Sequence, residues 1–353
     1  MRPRHLAIRL LVLTCVGFIG GCSNLGYYTQ SIRGQLDLLW KREAIAEIVK
    51  RPDTPAELKD RLTRVLHLRE FASQTLLLPD NGSYRSYADL QREHVVWTVY
   101  ATPEFSLDLR KWCFPFAGCV SYRGHFSPEA AEEFAVPLRA QGDDVYTGGV
   151  DAYSTLGWFD DPVLSTFIRR SEPALAGLIF HELAHQQLYV KNDTTFNESF
   201  ARTVELEGVR LWLQSHGTSA QLDDYARNEA RRDEFVAVIN HARDRLGALY
   251  AADLPTGTKR AQKQQLFESV KNDYAELKQR WGGYAGYDAW FATQLNNAKL
   301  ASVTTYADDV PAFQALLKQK NYDFAAFYAT AKQIGELPEA ERKVRLQNLL
   351  PKR

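Results

Sequence analysis

His181 and His185 stand four residues apart in "HELAH", with Glu182 between them. On a helix that spacing puts both imidazoles on one face, close enough to share one ion. The intervening carboxylate then sits beside the ion and can take a proton from water. Two nitrogens and one carboxylate, with a fourth position open to water, form a donor set that suits Zn2+ and metal-assisted hydrolysis. The third donor must come from another element. "NESFA" offers Glu198, Glu205 follows further along, and Asp193 lies in the polar break between the two motifs. Glu198 is the expected third ligand. Glu205 is either an alternative ligand or the partner of a histidine N–H. An ordinary amphipathic helix with two surface histidines would carry the same motif. Against that, the preceding "AGLIF" is strongly apolar, so the helix is expected to be buried, and a buried polar face needs partners.

These donors require two helices that return on each other. "PALAGLIFHELAHQQLYV" reads as the first, with Pro173 near its start. Lys191 to Asp193 read as a turn, and Thr194 or Thr195 as the cap of the second helix. Upstream, "LDLLWKREAIAEIVK" and "TPAELKDRLTRVLHLREFASQTL" have apolar residues at helical spacing and are separated by Pro52 and Pro55. "PDNGSYRSY" is a turn cluster. "HVVWTVYATPEFSLDL" reads as strands, and "FPFAGCVSYRGHF" continues in the same register. A serine-capped helix, "SPEAAEEFAVPLRAQG", and another strand, "DVYTGGVDAYSTLGWF", come next. Asp160 and Asp161, ahead of Pro162, are expected to open a helix, or one of them to orient a metal-bound histidine. From Pro173 onward the pattern is mostly helical. The expectation is an α+β fold with a small N-terminal sheet region, the HExxH helix and a mainly helical C-terminal half.

Several residues are candidates for handling a substrate. An edge strand near a metal can pair with an extended peptide. In "GGVDA", Gly149 and Asp151 are candidates for that wall, with Asp151 able to hold an amino group; a plain strand ending in a glycine-rich turn is the simpler reading. Developing negative charge in hydrolysis needs a donor besides the metal. Tyr153 and Tyr306 are the candidates chosen, with Tyr122 beside them. His125 lies in strand-rich sequence and reads as structural.

The chain has 353 residues, with 43 basic and 43 acidic side chains, and its hydrophobic fraction of 45% is enough for a sizeable core. No basic stripe points to nucleic acid. The N-terminus carries Arg2, Arg4 and Arg9, then "LLVLTCVGFIGG", then Cys22. A basic start and a short apolar run describe a secretory signal over residues 1–21, too short for a comfortable membrane span. "IGGC" resembles the bacterial lipobox, whose cysteine becomes the lipidated first residue, although Ile19 replaces the more usual leucine. Ser23 after that cysteine, by resemblance to lipoprotein sorting in Gram-negative bacteria, implies the outer membrane, facing the periplasm. Residues 22–353 are then one body, with 22–34 as a polar tether. Cys113 and Cys119 flank a Pro and a Gly, and outside the cytoplasm they could close a small disulfide loop or remain as buried thiols.

"HELAHQ" followed by "FNESFA" is similar to the glutamate zincins, in which a helix carrying "NE" supplies the third ligand. "FPFAGCVSYRGHF", "DAYSTLGWFDDPVLST" and "NNAKLASVTTYADDVPAF" resemble, together with that motif, a bacterial putative aminopeptidase family with lipoprotein signals. The resemblance implies a zinc metallopeptidase acting on a peptide substrate. Two readings stay beside it: a non-catalytic lipid-anchored binding protein with a structural zinc, and a zinc endopeptidase. The spacing from His185 to Glu198 is shorter than in better-known glutamate zincins. Thermolysin-like relatives place a supporting aspartate four residues after the ligand glutamate, where this chain has Arg202.

Overall fold

The structure is a computed structural model that describes residue 34 and residues 36–350, except 115–117, 153–154, 156–158 and 305–308. Cys22, Tyr153 and Tyr306 therefore lie outside the described residues. Among these the fold is α+β. The helices are α1 (Ile45–Ile48), α2 (Ala56–Gln74), α3 (Pro128–Ala140), α4 (Glu172–Gln187), α5 (Thr194–His216), α6 (Ser219–Ala251), α7 (Thr256–Arg280), α8 (Asp288–Ala292), α9 (Asn297–Thr304), α10 (Val310–Gln319), α11 (Phe324–Gly335) and α12 (Glu339–Gln347). The strands are β1 (Glu43–Ala44), β2 (Ser86–Ala88), β3 (Val96–Thr102), β4 (Trp112–Phe114), β5 (Gly118–Val120), β6 (Arg123–His125), β7 (Asp144–Val150) and β8 (Val163–Leu164).

The strands form three small sheets in the orders β1-β2-β8, β6-β3-β7 and β4-β5. In the second sheet β3 pairs antiparallel with β7 from Val96↔Val150 to Thr102↔Asp144, so β7 forms one edge. Asn296 and Asn297 cover the start of that edge, Asn296 donating to the Val145 carbonyl and the Asn297 N–H to Asp144. The far end, Gly149–Val150, lines a cavity with His181 and Glu182.

Three expectations about elements are corrected. The helix read over "LDLLWKREAIAEIVK" is interrupted at Glu43–Ala44, where the backbone pairs with Tyr87 and Ser86. The strands of "FPFAGCVSYRGHF" do not share one register: β4 and β5 make their own hairpin, and β6 joins β3. Asp160 and Asp161 open no helix. Asp161 is buried and accepts from the Thr155 N–H and hydroxyl, and the chain runs on into β8, held parallel to β2.

The largest apolar core joins α2, α4, α5, α10 and α11. A second core lies between α6, α7 and α8 around Phe235, Phe267 and Phe291, and a third holds α3 on the β3–β7 sheet. Helices α4 and α5 run antiparallel: Glu172 meets Trp212 at one end, His181 meets Glu205 in the middle, and His181 and His185 meet Glu198 at the other. Glycines set how close they come. A Cβ at Gly177 would stand 3.1 Å from Glu205 Oε1, and one at Gly208 would stand 2.8 Å from the Phe180 ring and 2.7 Å from Leu76 Cδ1.

That crowding gives a direct test. Gly208→Ala should gain helix propensity yet lose about 1–2 kcal/mol overall, because overpacking at the Phe180 ring outweighs the gain. Urea unfolding measures it; an unchanged or raised midpoint would show that α4 and α5 have room to part.

Candidate metal centre

Helix α4 buries Leu175, Ile179, Phe180 and Leu183 on its apolar side, as the "AGLIF" run requires. His181 and His185 share the side turned to α5, one turn apart. The chain then turns through Asn192 at φ 65°, a left-handed conformation that asparagine tolerates well. The cap of α5 is Asp193, whose Oδ1 accepts the Phe196 N–H at 3.0 Å; neither Thr194 nor Thr195 fills that role. Asp193 Oδ2 is paired with Arg342 of α12 at 2.7 Å. The buried Asn197 clamps the connection, donating to the Val190 carbonyl at 2.8 Å and accepting the Val190 N–H at 2.7 Å. Its neighbour Glu198 is thereby delivered to the histidines.

The result is a cluster of His181, His185 and Glu198 whose ligand atoms lie within 4.8 Å of one another, a group that could hold a metal ion. His181 Nε2 is 3.2 Å from His185 Nε2 and 3.2 Å from Glu198 Oε2, and His185 Nε2 is 3.6 Å from Glu198 Oε1. Glu205 is not in this group. It meets the other nitrogen of His181, Nδ1 to Oε2, at 3.0 Å. Behind it, Arg202 bridges Glu205 of its own helix and Glu229 of α6. The arginine at the place of the expected aspartate thus supports the histidine through Glu205. Asp193 is a cap and not a ligand candidate.

A loop on the opposite side steadies α4. The fully buried Arg69 donates to the carbonyls of Pro79 and Ser83, and its pKa is lowered to about 10, chiefly by burial. This loop presents Asn81 and Ser83 to Gln186, next to His185. The disulfide Cys113–Cys119 ties the β4–β5 hairpin, and Gly118 in it touches the α4–α5 turn: a Cβ there would stand 2.5 Å from Asn192 Oδ1. Tyr122 follows that hairpin. Burial raises its pKa, and the charges of Tyr100, Glu198 and Glu182 raise it further.

Gly149, Asp151, His181 and Glu182 all line one cavity of about 970 Å3. Gly149 makes room for the His94 ring, which a Cβ would meet at 2.1 Å. His94 in turn holds Asp151 at 3.0 Å, and Arg170 holds its other oxygen at 2.9 Å. Both oxygens of Asp151 are therefore engaged within the wall. His125 is buried on β6 against Phe134, as a structural residue would be, and burial lowers its pKa to about 4.

The electrostatics of the cluster set a pH dependence. Burial would lower the pKa of His181, but hydrogen bonds to Glu198 and Glu205 outweigh it and push the group up to about 10. Burial would raise Glu198, but the two histidines hold it well below the carboxylate range. In the metal-free protein the stability due to His181 is complete below about pH 6.5 and lost as pH rises through its folded value; that due to Glu198 is present above about pH 4.5 and lost as pH falls. An incoming metal must displace the His181 proton. Affinity for a divalent ion should therefore rise by about tenfold per pH unit between pH 6 and 8, with proton release detectable by calorimetry in buffers of different ionisation enthalpy. A flat profile without proton release would contradict the arrangement.

No curated protein and no solved structure matches the chain significantly. A family profile described as "Putative aminopeptidase" matches residues 26–346, and with nearly its whole length covered the chain belongs to that family.

Proposed function

We propose that this chain is a zinc-dependent peptidase of the zincin type, acting as an aminopeptidase, with Glu182 as general base and acid. The observation that supports the reading is the convergence of His181 Nε2, His185 Nε2 and the Glu198 carboxylate: 3.2 Å between the two nitrogens, 3.2 Å from His181 Nε2 to Glu198 Oε2 and 3.6 Å from His185 Nε2 to Glu198 Oε1. Donors held about 2.0–2.1 Å from a tetrahedral zinc lie about 3.3 Å apart. The separations in this cluster are close to that spacing. Glu205 on Nδ1 leaves Nε2 of His181 as the metal-facing nitrogen.

Zinc held there supplies Lewis acidity, polarising the scissile carbonyl and acidifying water. Glu182 lines the cavity, and its carboxylate makes no ion pair among the described residues. It is free to take a proton from water and hand it to the leaving amine. Tyr122, whose pKa is raised by burial and by the charges of Tyr100, Glu198 and Glu182, would serve as a neutral donor to negative charge developing on the carbonyl oxygen. The end of β7 that lines the cavity would offer backbone groups to an extended peptide, with Gly149 and Asp151 in the wall. Tyr153 and Tyr306 remain candidates for the same donor role as Tyr122.

A structural zinc in a binding protein would more often have four protein ligands; the cluster among the described residues has three. In this reading the chain is held in the bacterial cell envelope by a lipid on Cys22. The Cys113–Cys119 bridge suits such an oxidising compartment. No helix among the described residues is long and apolar enough to cross a membrane.

Purified protein should carry about one zinc, and Glu198→Ala should lose it, while Glu205→Ala should weaken binding by about 10- to 100-fold. Glu182→Gln should keep the metal and lower turnover by about 10²- to 10⁴-fold. If that variant stays fully active against a peptide library, the assignment of the base is wrong.

Two further outcomes bear on specificity and on the oxyanion donor. Acetylating the substrate N-terminus should block cleavage; equal cleavage of acetylated peptides would favour the endopeptidase reading. Tyr122→Phe should reduce kcat by about 10- to 1000-fold with KM little changed, and an unaltered kcat would pass the role to another tyrosine.

A further inference from the structure

The cavity beside His181 and Glu182 has many charged residues in its wall, and nearly all of them are committed to one another. Arg64 pairs with Glu172, Arg170 with Asp151, and Arg202 with Glu205 and Glu229. Asp224 pairs with Arg227. Two charged groups of the wall make no ion pair among the described residues: Glu182 and Arg232. Glu205 and Glu229 feel the charge of Arg232, but both already hold Arg202. Arg232 belongs to α6 and lines both this cavity and a second one of about 1150 Å3.

We infer that Arg232 is a recognition residue for a carboxylate on the substrate. The inference rests on the peptidase reading of the same site. A guanidinium presents a planar fork of N–H donors that matches a carboxylate in a two-point contact. A half-buried arginine whose neighbouring acids are already satisfied is the group a peptide carboxylate would meet. With Glu182 from α4 and Arg232 from α6 both lining it, a cavity of about 970 Å3 suits a peptide of a few residues, gripped at its carboxylate while the bond near Glu182 is cut. The carboxylate has two possible sources, the peptide C-terminus and an Asp or Glu side chain, and the C-terminus is common to every peptide.

The test uses the full chain carrying Glu182→Gln, so that binding is read without turnover, and compares trialanine with its C-terminal amide by calorimetry. Free trialanine should bind about 10- to 100-fold more tightly than the amide, and Arg232→Gln should remove that difference while Arg232→Lys keeps part of it. Thermal melting checks that each variant is folded. A second pair, amidated peptides with Glu or Gln at the same position, separates the sources: a gap for this pair that is sensitive to Arg232 assigns the site to a side-chain carboxylate. Equal binding within both pairs, or gaps that persist in Arg232→Gln, overturns the inference. Activity measured in parallel on the protein with Glu182 intact keeps the two ideas apart. Loss of the carboxylate preference with Glu182-dependent cleavage intact sinks only the role of Arg232, whereas absence of cleavage with the preference intact sinks only the peptidase reading.

Discussion

Two helices can deliver three ligands to one ion only if their backbones run close together for several turns. In this chain that constraint falls on the α4–α5 pair, and Gly177 and Gly208 relieve it at two levels. The approach at Gly177 lets Glu205 lie under His181, and the approach at Gly208 lets α5 pass the Phe180 ring. Glu198 then falls opposite both histidines, because antiparallel helices one contact apart keep matching turns in step. The surrounding apolar core of α2, α10 and α11 holds the pair from behind.

The charge around this pair is arranged in a chain. His181 leans on Glu205, Glu205 on Arg202, and Arg202 on Glu229 in the next helix. A buried carboxylate without partners would lose its charge. Glu205 keeps its charge because His181 and Arg202 outweigh the cost of burial. Glu229 lies less favourably, and burial raises its pKa despite Arg202. The metal cluster is thus coupled electrostatically to α6, which packs with α7 and α8 in a separate core.

Much of this was legible in the sequence, for a physical reason. HExxH spacing is a helical-face signal, and an apolar run before it shows that the face is buried, so His181, Glu182 and His185 could be placed from local pattern alone. Glu198 could be read because a polar break followed by a helix almost forces an antiparallel return. The roles of Asn197, Asp193 and Arg69 were not legible. Each acts by bonding a backbone group or a distant side chain, and no local periodicity encodes such a partner. A polar residue just before a ligand glutamate was the available hint for Asn197. Asp161 misled because acids before a proline favour a helix start, whereas burial and two hydrogen bonds from Thr155 commit it to a loop. The split of the first helix at Glu43–Ala44 was hidden for the same reason, since its cause is a strand more than forty residues away.

The ion pair between Asp193 and Arg342 has a consequence for the order of assembly. A chain that emerges N-terminus first presents His181, His185 and Glu198 well before the arginine that pairs with the cap of α5. Helix α12 acts as a latch on that cap, supplied from 149 residues further along the chain. Loss of α12 would reach the α4–α5 connection without removing any residue of the candidate metal cluster.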